Sequence, residues 1–152
     1  MHHADEMVAV LGDRELHVQT GGEPPSLDEL RSRYASQAVG QSLDGSRGWL
    51  NWIMRARQTG LAVGTVQATV WRARRGMCAE LAWTVGVAHQ HRGYAKEAAN
   101  EMATWLRRRG ADSFDAYIRP GHEASEGAAK RIGLRATAAV RDGETRWVSG
   151  GR

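Results

Sequence analysis

The residues most able to do chemistry lie in two neighbouring stretches. In Ala88-His89-Gln90-His91-Arg92-Gly93, a glycine stands directly before an amphipathic segment. Gly93 lets backbone approach a ligand closely, and the N–H groups at the start of a helix beginning there have no intrahelical partners. Such a junction is an anion site, to which Arg92 adds a fork of donors suited to phosphate oxygens. Just upstream, Glu80 sits in the middle of an otherwise apolar run. An unpaired carboxylate is costly there, so Glu80 either faces a polar cleft, where it can accept a proton, or is neutralised by solvent or by an arginine such as Arg119. Cys78 alternates onto the same strand face and is read as an ordinary buried thiol, not a nucleophile. His89 and His91 are read as surface loop residues. The sequence offers no clear set of further ligands for a metal, so none is expected.

The elements that must position these groups can be read from period and punctuation. Glu80 belongs to a strand over Met77 to Val87, and the glycine opens a helix over Tyr94 to Arg109, with Ala95, Ala98, Ala99, Met102 and Leu106 at helical spacing. Gly110 supplies its C-cap, and a strand from Phe114 to Arg119 completes a βαβ unit. Upstream, a single short helix is predicted over residues 4–17, with Met7, Val8, Val10 and Leu11 on one side, stopped by Gly21-Gly22-Glu23-Pro24-Pro25. A second helix opens at Ser26, with Glu29 placed for a reciprocal cap and Leu27, Leu30 and Tyr34 on its apolar face. Trp49 to Arg57 and Leu61 to Trp71 read as a hairpin, joined by Gln58-Thr59-Gly60. Downstream, Glu123 to Ile132 reads as a small helix, and Ala136 to Val140 and Thr145 to Val148 as strands about an Asp142-Gly143 turn.

Composition narrows the class of protein. The 152 residues are one domain's worth, 41% hydrophobic and 25% charged, with a mean hydropathy of -0.52. These values exclude a disordered tail, and no apolar run approaches the roughly 18 residues of a spanning helix, so no membrane role is expected. Met-His-His-Ala-Asp-Glu lacks a basic segment followed by an apolar one, and the one cysteine permits no intrachain disulfide, so a cytoplasmic protein is expected. Of the 21 basic residues 19 are Arg, giving a net charge of +4 and a pI near 9.8.

The segment Val85-Gly86-Val87-Ala88-His89-Gln90-His91-Arg92-Gly93-Tyr94-Ala95-Lys96-Glu97-Ala98 resembles the acetyl-CoA-binding segment of the Gcn5-related N-acetyltransferase (GNAT) superfamily. That pattern is Gln or Arg, two residues, Gly, one residue, then Gly or Ala, and Gln90, Gly93 and Ala95 occupy its positions. The likeness extends over about residues 5–148 and is closest to the branch of ribosomal-protein alanine acetyltransferases. It implies one α/β (α+β) domain over residues 1–152, a mixed, mostly antiparallel twisted sheet flanked by helices. It also implies an enzyme that transfers an acetyl group from acetyl-CoA to a primary amine, in a small molecule or a peptide, by direct attack in a ternary complex. Carried over position by position, Gln90, His91, Arg92, Gly93, Tyr94 and Ala95 would wrap the cosubstrate's pyrophosphate, chiefly through backbone N–H groups. Val85 and Val87 would offer their main chain to the pantetheine arm in a splayed gap between strands, and Lys96 would face either the cosubstrate or solvent. Glu80 is then the candidate general base, the Val85 N–H the group that polarises the carbonyl, and Ser125 either a contact to the thiol sulfur or a helix cap.

The chain departs from the family's pattern in three places. Many relatives have Asn where His122 stands, and many have a tyrosine general acid where Ala129 stands; Tyr117 and Tyr34 are read as core. The family's first strand, which normally precedes the first helix, is missing, so an exposed sheet edge and a homodimer are expected. Two other classes of function compete. One is a catalytically silent acyl-CoA-binding or regulatory domain on the same fold. The other is a nucleic-acid module built on Arg72, Arg74, Arg75 and Arg107 to Arg109, which the pattern does not favour, since a turn and a helix end are ordinary homes for Arg and no aromatic stacking pattern lies beside them.

Overall fold

The computed structural model describes residues 3–150. Helices α1 (His3–Leu11), α2 (Arg14–Thr20) and α3 (Leu27–Ala38) come first. Three strands follow, β1 (Arg47–Arg55), β2 (Ala62–Ala73) and β3 (Gly76–Val85). A 3-10 turn at Val87–His89 leads to α4 (Tyr94–Arg108), then β4 (Ala111–Ile118), α5 (Glu123–Arg131), β5 (Leu134–Arg141) and β6 (Glu144–Ser149). The strands form one six-stranded sheet in the order β1-β2-β3-β4-β6-β5. Every neighbouring pair is antiparallel except β3 and β4, the parallel pair that α4 connects. The expected fold class is the observed one.

Two faces of this sheet are treated differently. Alternate residues of the strands, among them Val66, Ala68, Ala79, Leu81, Phe114, Ala116 and Trp147, are buried against Met102, Ala103 and Leu106 of α4 and Ala129 and Ile132 at α5. On the other face a smaller cluster of Met7, Leu11, Leu16, Leu30 and Ala62 packs α1 to α3 over the β1–β2 end. That helical layer stops short of the strand centres, so Glu80, Asp115, Tyr117 and Arg146 form a polar, half-buried patch beside it.

The chain corrects the sequence reading in several places. The expected helix over 4–17 is two helices, because Gly12 and Asp13 break it and the Asp13 side chain caps α2 by accepting from the Glu15 N–H at 2.9 Å. The second helix is capped as predicted, with Ser26 and Glu29 in a reciprocal box. The strand predicted to run to Val87 ends at Val85. Val87 sits in the 3-10 turn, its carbonyl accepts the Gln90 N–H, and its side chain packs with the α1–α3 cluster. Among the described residues no strand precedes α1, and β1 is an edge strand. Part of that edge is nonetheless closed, since the Trp49 N–H donates to Gly40 at 2.7 Å and the Ser42 N–H to Arg47 at 2.9 Å. No described helix is long and apolar enough to cross a membrane.

Candidate functional site

The site begins where two strands part. β3 pairs with β2 along its whole length to Val85, but with β4 only from Met77 to Leu81. Beyond Leu81 and Ala116 the parallel pair opens. The Gly86 N–H donates to Val63 at 2.9 Å on the β2 side, so the alternation of the ladder turns the N–H groups of Val85 and Trp83 the other way, into the gap. The Val85 carbonyl is held by the Gln90 side-chain amide at 3.1 Å, which pins the loop against the strand end.

From this gap a cavity of about 470 Å³ runs to the start of α4. Val85, Gln90, His91, Gly93, Tyr94, Ala95, Lys96 and Ser125, all singled out from the sequence, line it together. The loop bends tightly: His91 has φ 61° and Gly93 φ 81°, both in the left-handed region, which a glycine adopts at no steric cost. The first helical bond of α4 runs from Glu97 to Gly93, so the N–H groups of Tyr94, Ala95 and Lys96 lie in the unpaired first turn. A Cβ on Gly93 would meet nothing within 4 Å, so its missing side chain leaves open space at the loop. The Lys96 stem lies across Gly127 of α5, with its Cε 2.8 Å from the position of a Cβ there, so the ammonium projects from a fixed stem.

Arg92 does not line this cavity. It lines a neighbouring groove of about 720 Å³ between β1 and α4, which shares Tyr94 with the first and carries Trp52 and Trp105, edge to face at 5.4 Å. Although larger, this groove contains neither Glu80 nor Ser125. Val87 lines none of the three cavities. His89 and His91 belong to no cluster of metal-ligating residues among the described residues.

A third cavity, about 220 Å³, lies on the far side of the gap and contains Glu80. It shares Thr20, Trp83, Thr84, His122 and Ser125 with the 470 Å³ cavity, so the two meet around these side chains. Ser125 is the best defined of them. Its backbone N–H donates to His122 Nδ1 at 3.1 Å, and its Oγ accepts the indole N–H of Trp83 at 3.3 Å. His122, not Ser125, is therefore the N-cap of α5, filling the capping place where many relatives have Asn. Because Nδ1 accepts, the neutral ring carries its proton on Nε2. With its oxygen occupied by Trp83, Ser125 keeps its hydroxyl proton for a group in the cavity. Ala129 is fully buried and offers no acid.

Glu80 is neutralised, but by a residue other than Arg119. Its two oxygens accept from Arg141 Nη2 at 2.8 Å and Nη1 at 3.3 Å. Arg141 is the last residue of β5, held at the turn by pairing with Glu144, and its Cζ lies 3.5 Å from the centre of the Tyr117 ring. Hydrogen bonding to Glu80 raises the Arg141 pKa above its usual value. Beside Glu80 in the β3–β4 register stands Asp115, which has its own guanidinium in Arg146 at 2.6 Å. Two neighbouring carboxylates are thus each matched by one arginine of the C-terminal hairpin. Tyr117 lines the Glu80 cavity instead of belonging to the core, whereas Tyr34 packs in the α1–α3 cluster with its hydroxyl buried and unpartnered among the described residues. Sequence reasoning missed Trp83 and Arg141, and it read Tyr117 as core. Only Trp83 carried a signal, an indole N–H that needs a partner when it is half-buried.

Comparison with known proteins agrees with this geometry. Three solved structures illustrate the likeness. A domain from Methanocaldococcus jannaschii superposes with a TM-score of 0.75 at 17% identity, covering 97% of this chain and 91% of its own. The aminoglycoside acetyltransferase AAC(6')-Ib, solved with paromomycin and acetyl-CoA, gives 0.75 at 14% identity, covering 97% and 88%. The microcin C7 self-immunity acetyltransferase MccE, solved with acetyl-CoA and AMP, gives 0.76 at 13%, covering 97% and 86%. No curated protein matches the chain in sequence. The family model of the acetyltransferase (GNAT) domain, however, matches residues 1–135, which takes in α1 through α5 and the whole splayed β3–β4 pair, and the chain therefore belongs to the GNAT acetyltransferase family.

Proposed function

We propose that the protein transfers an acetyl group from acetyl-CoA to a primary amine, both substrates being bound at once. The observation that carries this reading is the parting of β3 from β4 after Leu81, with a cavity that joins the gap to the glycine-bent loop at 90–95. A pyrophosphate fits the donor set at that loop: successive backbone N–H groups, the positive end of the α4 dipole, and the Lys96 ammonium nearby. The pantetheine arm fits the gap, where its amides can meet the main chain of Trp83 and Val85. Acetyl-CoA in the AAC(6')-Ib and MccE structures supports the same cosubstrate here. The resemblance of about residues 5–148 to the ribosomal-protein alanine acetyltransferase branch keeps a peptide α-amine in scope beside a small amine.

In this reading the thioester lies where the two cavities meet. The ammonium gives one proton to Glu80 through water, and the freed amine nitrogen bonds to the carbonyl carbon while the Val85 N–H steadies the oxyanion. The carbon–sulfur bond then breaks, the nitrogen's second surplus proton passes to the departing sulfur, and the Ser125 hydroxyl hydrogen-bonds that sulfur as it leaves. A CoA thiolate leaves readily enough to need no stronger acid, in keeping with Ala129. A second reading, an acyl-CoA-binding domain without turnover, is favoured by one feature: both Glu80 oxygens are occupied by Arg141.

Calorimetric titration of acetyl-CoA into the protein and its Gly93→Glu variant tests the reading. The added side chain projects a carboxylate from a position at φ 81° into the phosphate loop. Binding by the wild type and its loss by at least about 100-fold in the folded variant is expected. Absence of binding to the folded wild type overturns it.

A further inference from the structure

The pocket around Glu80 has an unusual charge arrangement for a site that must hold a protonated amine. Two carboxylates, Glu80 and Glu144, line it with two guanidiniums, Arg119 and Arg141. Arg119 donates to the Val18 carbonyl at 3.2 Å and has no ion pair among the described residues. Arg141 has five N–H donors, of which Glu80 takes two, so three remain for another acceptor. Its plane is fixed from below by the Tyr117 ring. Such a pocket does not suit a polycation, because each added ammonium would approach a guanidinium. At about 220 Å³ it fits a small group carrying both signs of charge.

Glu80 holds only part of the Arg141 fork: each of its oxygens accepts one N–H and keeps a second lone pair. A second carboxylate brought in by the acceptor can pair with the N–H groups that Glu80 leaves, and only an acceptor that carries one would do so. Arg141 lies on the C-terminal hairpin, beyond residues 1–135 that the family model matches.

We infer that the acceptor carries a carboxylate close to its amine, as a free amino acid does, and that this carboxylate pairs with the Arg141 guanidinium beside Glu80. The inference rests on the acetyl-transfer reading and names its acceptor class. The ammonium gives one proton to Glu80, the freed nitrogen bonds to the acetyl carbon, and the carbon–sulfur bond breaks as the nitrogen's second surplus proton passes to the departing sulfur, leaving CoA thiol. Arg141 is thus the specificity-determining residue, because it holds the acceptor's amine beside the base.

The test compares matched acceptors by thiol release from acetyl-CoA: a panel of free amino acids, their carboxamides, short diamines and kanamycin. The expected result is a kcat/KM at least about tenfold higher for acids than for their carboxamides. In Arg141→Gln that ratio falls to within about twofold, and in Arg141→Lys, which keeps the charge without the fork, it is intermediate. A preference for carboxamides, diamines or kanamycin overturns the inference, as does an acid preference that survives in Arg141→Gln. If the protein binds acetyl-CoA yet acetylates nothing in the panel, the inferred acceptor class is overturned and the reading without turnover is favoured over transfer. Failure to bind acetyl-CoA at all removes both.

Discussion

The two halves of the candidate site are built from different materials. The cavity along residues 85–96 draws its hydrogen-bond donors chiefly from main chain: N–H groups turned out of a strand that has lost its partner, a loop bent at His91 and Gly93, and the first turn of α4. The pocket around Glu80 is made of side chains drawn from β3, β4, α2 and the β5–β6 hairpin, held by ion pairs and by stacking on Tyr117. Backbone donors tolerate a change of side chain, so the first half can serve one invariant ligand in many sequences. Side-chain pockets change with single substitutions, so the second half is where one member of a family differs from another.

This contrast predicts that the halves fail separately. Glu80→Gln keeps the shape of the smaller pocket and removes the proposed base. A fall in kcat of about 10²- to 10⁴-fold is expected, with acetyl-CoA affinity by calorimetry unaltered, since Glu80 lines only the smaller cavity. An unchanged rate would assign proton removal elsewhere and merge the two halves into one site. Ser125 sharpens the comparison because it lines both cavities. Ser125→Ala removes the hydrogen-bond donor beside the leaving sulfur and leaves the Trp83 N–H without its acceptor. It should lower kcat by about tenfold, with a smaller change in acetyl-CoA affinity. Equal loss in both quantities would mean that Ser125 serves binding alone.

The same contrast explains what could be read from the sequence. The loop at 90–95, α4 and the capping box at Ser26 are local: their periods, caps and glycines lie within a few residues of one another. The Asp142-Gly143 turn was legible for that reason, and both residues have the positive φ that a two-residue hairpin turn requires. Glu80 was legible as an anomaly, a carboxylate in an apolar strand, but its partner was not. Glu80 and Arg141 are 61 residues apart, on strands that β4 and β6 separate in the sheet order. No local period encodes a contact across that distance. Val87 and the first helix failed on a smaller scale. The apolar run continued past Gly86 although the strand did not, and the break at Gly12-Asp13 was overlooked because apolar spacing continued across it, although Asp13 was a cap in plain view.

A last comparison concerns the support behind both halves. Leu16 and Thr20 of α2 border the 470 Å³ cavity, and Thr20 borders the 220 Å³ pocket as well, so the docking of the first helices on the sheet is common to the two. That docking includes one ionic clasp, in which Arg55 at the end of β1 donates to both oxygens of Glu6 on α1. The Arg55 hydrogen bonds, aided by His3, lower the Glu6 pKa from 4.5 to about 2. A carboxylate held lower in the folded state than in the unfolded one adds stability that is fully present above the unfolded value, and that is lost as pH falls from near 4.5 toward 2. Glu6→Gln should therefore lower the Tm at pH 7 by no more than about 3 °C, since the pair is partly solvent-screened, and the difference from wild type should shrink through that acid window. Thermal melts of both proteins from pH 7 to pH 2.5 check it. If acetyl transfer at 25 °C is the same in the two proteins while the melts differ, the clasp supports the fold alone. Should transfer fall with unchanged acetyl-CoA binding, α2 is a working wall of the acceptor pocket.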